Sequence, residues 1–574
     1  MIVYRDAERP ADPRALLTDM TARLGRLPDP RRDASGLLAD FGEIETALTD
    51  TYFPECDGLD ERVAELRMAS LSFARLLRLA RLDAAGRDAA DAARAAASRL
   101  QALLARPLPR SIGLRVPEGY AFYSLFPETY LVAAERFAAA VRPERAVCIG
   151  IRSIGSSLSA AVAAGLETAG VMVETITLRP RGHPFDRRPV LSAELEAWLR
   201  ARAGGHFLVV DEGPGMSGSS FCGTAARLAE LGVPDERIVL FPSWLPDPSA
   251  FVNAGARERW QRHAKVTAAF EEVWLRRSPL AGARDLSGGN WRGLLRVRAP
   301  AHPQHERRKY LLGGTVHRFA GLGRYGRARL DRAERLARAG LGANPKGLAE
   351  GFLALEWLPG RPLHRRDAGP DVIAAAARHI GHLARHHRTG SPVRAEELFH
   401  MVETNVAEGL GRDWLDRLRG MGPALAELAG RQAVAIDGRM LPHEWIRLPD
   451  GRPVKTDALD HHDDHFFPGP QDAAWDVAGF AVEFGLTPRA RAEFAAMAGD
   501  AAGDPGLPAR LPFQSVAYLA CRLGYCAMAA DILDGTGDGT GDGTGGGTGD
   551  GRFMRRLRDA YARALRRSLL AFPA

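Results

Sequence analysis

Four apolar residues, Phe207-Leu208-Val209-Val210, run straight into two acids and a Gly/Ser turn, Asp211-Glu212-Gly213-Pro214-Gly215-Met216-Ser217-Gly218-Ser219-Ser220, and few folds accept that order. The apolar run, bounded by Gly204-Gly205 and Gly213, predicts a central parallel strand buried on both faces. Apolar spacing from Phe221 to Leu231 predicts a helix that stops at Gly232. The turn therefore lies at a helix N-terminus, where unpaired N–H groups and the positive end of the helix dipole suit a phosphate. Asp211 and Glu212, at the strand's carboxyl end, are placed to accept from vicinal ribose hydroxyls or to hold a hydrated magnesium ion.

The same plan occurs upstream. Ala146 to Ile151 predicts a buried strand, Arg152-Ser153-Ile154-Gly155-Ser156-Ser157 a polar turn, and the Ala-rich run to Leu166 a helix. Val171 to Leu178 alternates with the period of a strand, and the polar loop Arg179–Arg188 has the cations of a flap that closes over polyphosphate. A further strand spans 238–242. Residues 207–220 resemble the phosphoribosyl-pyrophosphate (PRPP) motif of type I phosphoribosyltransferases, with Gly218 six residues after Glu212 where the family usually has five. That resemblance implies an enzyme that binds PRPP and Mg²⁺ and transfers phosphoribose through an oxocarbenium-like transition state. Asp211 and Glu212 would steady ribose and metal, and Ser217, Gly218, Ser219 and Ser220 would cradle the 5-phosphate. Arg152, the Ser153, Gly155 and Ser156 turn, and Arg181 of the basic loop would hold the departing pyrophosphate.

A chain of 574 residues exceeds one ordinary domain. The formal charge of +7 invites a nucleic-acid reading, but of 77 basic residues only Lys265, Lys309, Lys346 and Lys455 are lysines. Arginines alternate with acids along helices, as in Asp331-Arg332-Ala333-Glu334-Arg335, which is the pattern of solvated faces and makes nucleic acid an unlikely partner. The first residues lack the apolar core of a signal peptide, and no apolar run reaches the roughly 18 residues of a membrane span, so a cytoplasmic protein with small-molecule substrates is expected. Five scattered cysteines fit neither a disulfide framework nor a zinc knuckle; Cys222 reads as packing, as do Cys521 and Cys526. Residues 1–110 read as helices with no visible chemistry, including an exposed-looking loop at 52–57, and 280–290 reads as a linker.

The last third contains Leu353-Ala354-Leu355-Glu356-Trp357-Leu358-Pro359-Gly360-Arg361-Pro362-Leu363 and, further on, Val434 to Ile446, Val454-Lys455-Thr456-Asp457 and Ala474-Trp475-Asp476. In this order they resemble the hinge, catalytic loop, metal acid and structural acid of aminoglycoside phosphotransferase-like kinases. The resemblance implies hairpin strands at 310–312 and 316–319, a helix at 330–339 offering Glu334, and ATP held by the backbone of Glu356 and Leu358. It also implies Asp437 as the base and magnesium on Asp457 or Asp460, with His443 or Glu444 in place of the family's asparagine. The family's lysine is replaced by His317 or Arg318, with Lys309 as a substitute. Asp460-His461-His462-Asp463-Asp464-His465 is a candidate metal loop but reads better as a solvated loop. A GTGD-like repeat at 534–551 reads as a flexible linker, and 553–570 as an amphipathic helix packing back on this lobe.

The expected architecture is thus α/β and α+β multidomain: a helical region at 1–110, a parallel-sheet phosphoribosyltransferase-like domain at 111–280, and a bilobal kinase-like domain at 290–574. Phosphoribosyl transfer is the leading expectation. The alternatives are a non-catalytic PRPP or nucleotide sensor and a small-molecule kinase.

Overall fold

The computed structural model describes residues 1–3, 8–27, 29–82, 86–215, 217–247, 251, 254–535 and 547–572. It is a mixed α/β multidomain protein. Five parallel strands form the first sheet, in the spatial order Met172–Leu178, Arg145–Ile151, His206–Val210, Ile238–Phe241, Ala264–Lys265. The expected central strand is the middle one, with Phe207 to Val210 fully buried. Alternate side chains feed two cores: Cys148, Leu208 and Val210 point to one face, and Val147, Phe207 and Val209 to the other. Strand order reverses between Arg145–Ile151 and His206–Val210, so the turns that follow them, 152–155 and 211–218, meet at the switch point where open α/β sheets bind ligands.

The N-terminal helices do not form a separate region. Ala34–Tyr52 and Glu61–Arg81 share one core with Cys148, Leu208 and Val210, beside Pro127–Val141 and Gly155–Thr168. A buried ion pair, Arg67 to Glu45 at 2.6 Å, locks the first two helices together while Arg67 also donates to the Ser156 carbonyl. Gly42 lies so close to Ser157 that a Cβ there would meet its side chain at 2.6 Å.

The second sheet is antiparallel, ordered Arg284–Asp285, Lys309–Leu312, Thr315–Phe319, Phe352–Glu356, Pro345–Ala349, and helix Gly323–Arg338 packs on it. The expected hairpin is present; the expected linker is not, because 284–285 is the edge strand of this sheet and Leu280 and Leu286 are buried. Beyond the 357–360 connection lies a helical lobe built on Pro370–His386, Ala395–Leu410, Ala474–Phe484, Pro488–Ala502, Leu507–Gly535 and Gly547–Leu570. Against expectation, the stretch Leu507–Leu533 is long and apolar enough to cross a membrane, with mean hydropathy 1.4. It packs as a core helix against its neighbours, with Phe513, Val516, Tyr518 and Leu519 buried. The final helix begins at Gly547 and buries Met554, Tyr561, Leu565 and Leu569; the rest of the repeat, 536–546, lies outside the described residues.

The two halves are clamped. Phe126 stacks among Trp274, Phe270, Phe319 and Phe352 at centroid distances of 4.9, 5.4, 5.9 and 6.4 Å. Asp40 accepts from the Arg324 amide at 2.9 Å, and Tyr325 donates to Glu43 at 3.0 Å.

Candidate functional site

A cavity of about 440 Å³ opens between the antiparallel sheet and the helical lobe. One wall is the 356–358 connection. The Glu356 N–H donates to Asn344 O at 2.9 Å and the Trp357 N–H to Gly314 O at 3.1 Å, which leaves the Leu358 N–H without a partner among the described residues. Arg318, on the strand paired with Phe352–Glu356, also lines the cavity, 6% exposed, and pairs with Asp460 at 2.6 Å and Asp457 at 3.2 Å. Its Nε and Nη1 have no hydrogen-bond partner among the described residues. Of the three candidates for the family's lysine, Arg318 therefore faces the acids. Lys309 also lines the cavity, paired with Glu306 at 3.0 Å.

Asp437 is not where a base is needed. Its side chain is fully buried and off the cavity wall, contacting His379 Nε2 at 3.1 Å and Lys455 Nζ at 3.2 Å. Burial pushes its carboxyl up, but the Lys455 charge and hydrogen bonds from His379 and His461 outweigh that and hold it well below the usual range. The backbone there is pinned by Asp476, which accepts from the Asp437 and Gly438 amides at 2.8 Å each, so the expected bracing acid does brace this loop. The residue that the loop presents to the cavity is Arg439, bound to Glu444 at 2.8 Å and 3.6 Å from Asp457. Nor does helix Gly323–Arg338 offer Glu334, which is exposed; its inward residues are Arg329, on Ala121 O at 2.6 Å, and Arg332, on Ala435 O at 2.8 Å. His443 stacks on Trp291, from the segment between the first two strands, with centroids 5.6 Å apart.

Glu444, Asp457 and His461 offer ligand atoms within 4.8 Å of one another. A magnesium ion fits this donor set poorly. Lys455 Nζ and Arg439 already sit on Glu444 at 3.1 and 2.8 Å, Arg318 sits on Asp457, and His461, although opposed by burial and Arg439, is raised by Asp457 and Asp437 toward its protonated form. Internal cations thus occupy the oxygens that a dication needs. The loop 460–465 is not solvated: Asp460, His461, His462 and His465 are all buried, tied by Arg307 to Asp464 at 2.9 Å and by Tyr123 OH to His465 at 2.6 Å.

At the switch point of the parallel sheet the expected residues do gather. Asp211 and Glu212 follow the central strand; burial pushes their carboxyls up to about 7 and about 8 respectively, and Glu212 accepts from the Gly119 amide at 3.1 Å. Ser217 to Ser220 open the helix Ser219–Glu230, with Gly218 in the left-handed region at φ 61°. The flap is a short hairpin, Pro180–Arg181 with Arg188–Pro189, and Ser219 Oγ donates to its Pro184 carbonyl at 2.8 Å. The cations meant for pyrophosphate are turned elsewhere. Arg152, 1% exposed, is held by Asp57 and by Asp50 at 2.7 Å, and Arg181 donates to Phe53 O at 2.6 Å. Thr46 covers the first turn, donating to Ser153 O at 2.9 Å and lying 2.7 Å from Ser156 Oγ, near Gly155. A cavity of about 20 Å³ beside Thr46 and Asp50 is lined by Ser153, Ile154, Ser157 and Arg179 and does not reach Asp211, Glu212 or the Ser217–Ser220 turn.

Sequence reasoning missed Asp50 and Asp57, whose only signal was acidity in a segment read as free of chemistry. It also missed Arg439. Cys222 is plain packing, its thiol pushed up to about 12 by burial.

Among the solved structures that match the chain, three cover about half of it as follows. A choline/ethanolamine kinase family protein from Mesorhizobium loti is 18% identical, with a TM-score of 0.31, over 46% of this chain and 88% of its own. Choline kinase LicA from Streptococcus pneumoniae is 14% identical, with a TM-score of 0.31, over 49% and 97%. A protein assigned as an aminoglycoside phosphotransferase from Ralstonia eutropha is 12% identical, with a TM-score of 0.32, over 47% and 90%. No family model matches the sequence, and no curated protein does. Similarity at this level speaks to neither activity nor substrate, which the geometry must supply.

Proposed function

We propose that the C-terminal half binds a nucleotide in the cleft between its lobes, in the manner of a small-molecule phosphotransferase. The observation that carries this reading is that a hinge amide, Leu358 N–H, and a buried guanidinium, Arg318, whose Nε and Nη1 have no partner among the described residues, line one 440 Å³ cavity. A base fits the first group, where only a backbone donor and apolar walls such as Val316 and Leu355 are required; a phosphate fits the second. Transfer chemistry asks more of the site. With Asp437 inside the lobe and Arg439 at the cavity, the acids beside it, Glu444 and Asp457, are both held by cations, and Asp457 must leave its guanidinium before it can orient an acceptor hydroxyl. Nucleotide binding is therefore the primary activity assigned. Calorimetry of the full chain with ATP and ADP tests it, together with Arg318→Met, which should weaken either nucleotide about tenfold or more. A folded chain that binds neither at millimolar concentration would refute the reading.

A second reading, PRPP binding by the parallel-sheet domain, is favoured by one observation: Asp211, Glu212 and the Ser217–Ser220 turn share the carboxyl edge at the switch point. It requires Thr46 and the Asp50/Asp57 contacts to yield, since a ligand of this size needs several hundred Å³. Equal PRPP affinity for the wild type and for Asp211→Asn/Glu212→Gln would remove it.

A further inference from the structure

Two cations of the cleft have no ion-pair partner among the described residues, the exposed Arg298 and the half-buried Arg522. Arg522, on helix Leu507–Gly535, lines the cavity between the rings of Tyr525 and Tyr561, each 5.4 Å from its guanidinium carbon. Its one hydrogen bond is a long one, Nε to Tyr561 OH at 3.4 Å, and it has no ion-pair partner among the described residues. The nearby acid, Glu483, attracts the Arg522 charge without an ion-pair contact and accepts from Tyr518 OH and from Tyr561 OH, both at 2.7 Å. The other guanidinium on this side, Arg439, is opposed by the Arg522 charge and spends its own charge on Glu444. Elsewhere in the cleft, Arg298 apart, every cation described above sits on a carboxylate, Arg318 on Asp460 and Lys309 on Glu306 among them. A guanidinium facing a largely aromatic wall gains something from the ring faces, but far less than from an anion, so it is set up for a ligand that brings one.

Apolar side chains line the same cavity, among them Trp291, Leu295, Phe553, Met554 and Leu557. We propose that this end of the cleft binds a small molecule with an apolar body and an anionic oxygen group, a carboxylate or a phosphate, and that Arg522 is the counter-ion of that group. The inference rests on the cleft being a ligand site, as under the reading above, and it specifies the second ligand there and not the nucleotide.

Three probes of similar size separate the possibilities on the full chain: phenylacetate, phenyl phosphate and phenethylamine, each by calorimetry with and without ATP. At least one of the two anions should bind and the amine should not, with the preferred anion naming the group. Arg522→Gln should weaken the anion about ten- to a hundredfold, the range of a charge-assisted hydrogen-bond pair, and leave ATP within a few fold; Arg522→Lys should restore part of the loss. Should Arg522→Gln fail to fold, the anion-over-amine preference of the unaltered chain decides alone. Amine binding equal to or tighter than anion binding overturns the proposal, as does binding of neither anion at millimolar concentration. A loss in Arg522→Gln that falls on ATP instead overturns it too, since Arg522 then serves the nucleotide. Anion binding without ATP binding refutes the nucleotide reading and leaves this one standing.

Discussion

Lys455→Met is the substitution whose cost the structure sets most firmly. Lys455 is 2% exposed, and its ammonium touches Asp437 at 3.2 Å, Glu444 at 3.1 Å and Asp457 O at 2.7 Å. Glu444 keeps Arg439 when the lysine is removed, but Asp437, with no exposed surface, keeps His379, His461 and the Arg439 amide and no full cation. Methionine fills most of the volume and none of the charge. Removing one partner of a buried pair costs about 3–5 kcal/mol, because the other charge stays buried and uncompensated. The helical lobe should therefore unfold at a markedly lower urea midpoint in tryptophan fluorescence, and Lys455→Met/Asp437→Asn should regain at least half of the loss. The pH dependence follows from the sign of the shift. In the wild type the folded carboxyl of Asp437 lies below its unfolded value near 4, so its contribution is present above about pH 4 and is lost as the pH falls further. In the variant burial is no longer opposed by the ammonium, the folded carboxyl rises above the unfolded one, and stability improves as the pH falls from 7 toward 4. The gap between the two proteins should therefore narrow on acidification. A loss below about 1 kcal/mol, or a gap that stays constant from pH 7 to pH 4, would refute the electrostatic account.

Glu128, raised by burial from 4.5 to about 7 and bonded by Ser35 Oγ, takes up its proton more readily folded than unfolded; its contribution is full below about pH 4.5 and is lost as the pH rises through 7. Glu128→Gln should flatten the fall in melting temperature between pH 5 and pH 8, worth of order 3 kcal/mol at most, and an unchanged slope would show that this carboxyl is not the source. Phe126→Ala empties the aromatic joint between the halves at about 3–5 kcal/mol and should separate their unfolding into two calorimetric transitions; a single transition at the wild-type midpoint would contradict it. Gly223→Ala places a Cβ against the Arg187 carbonyl, so the flap should lift and trypsin should cut after Arg187 faster than in the wild type, with equal cutting rates counting against the contact.

What the sequence made legible was local. The buried strands at 145–151 and 206–210 are short apolar runs, the second between glycines, and their turns had to lie at the sheet's carboxyl edge once the strands were parallel. The hairpin at 309–319 and the bracing acid Asp476 were likewise set by nearby pattern. The misplaced residues share one physical cause: their roles are fixed by charges from distant segments. Asp437 sits two residues before Arg439, and which of them meets the cavity depends on His379 and Lys455, not on anything adjacent. The acid-and-histidine run at 460–465 looked solvated because charged runs usually are, yet Arg307, Arg318 and Tyr123 converge on it from elsewhere and make it a buried hub. Asp57, in a loop that looked empty, lies 1% exposed under Arg152. Ion pairs have no periodicity, and in a chain where nearly every basic residue is arginine the buried guanidinium is compositionally identical to the solvated one. Geometry alone separates them, and that is why the unpaired Arg522, invisible among so many arginines in the sequence, becomes the most specific statement the fold makes about what its cleft is built to hold.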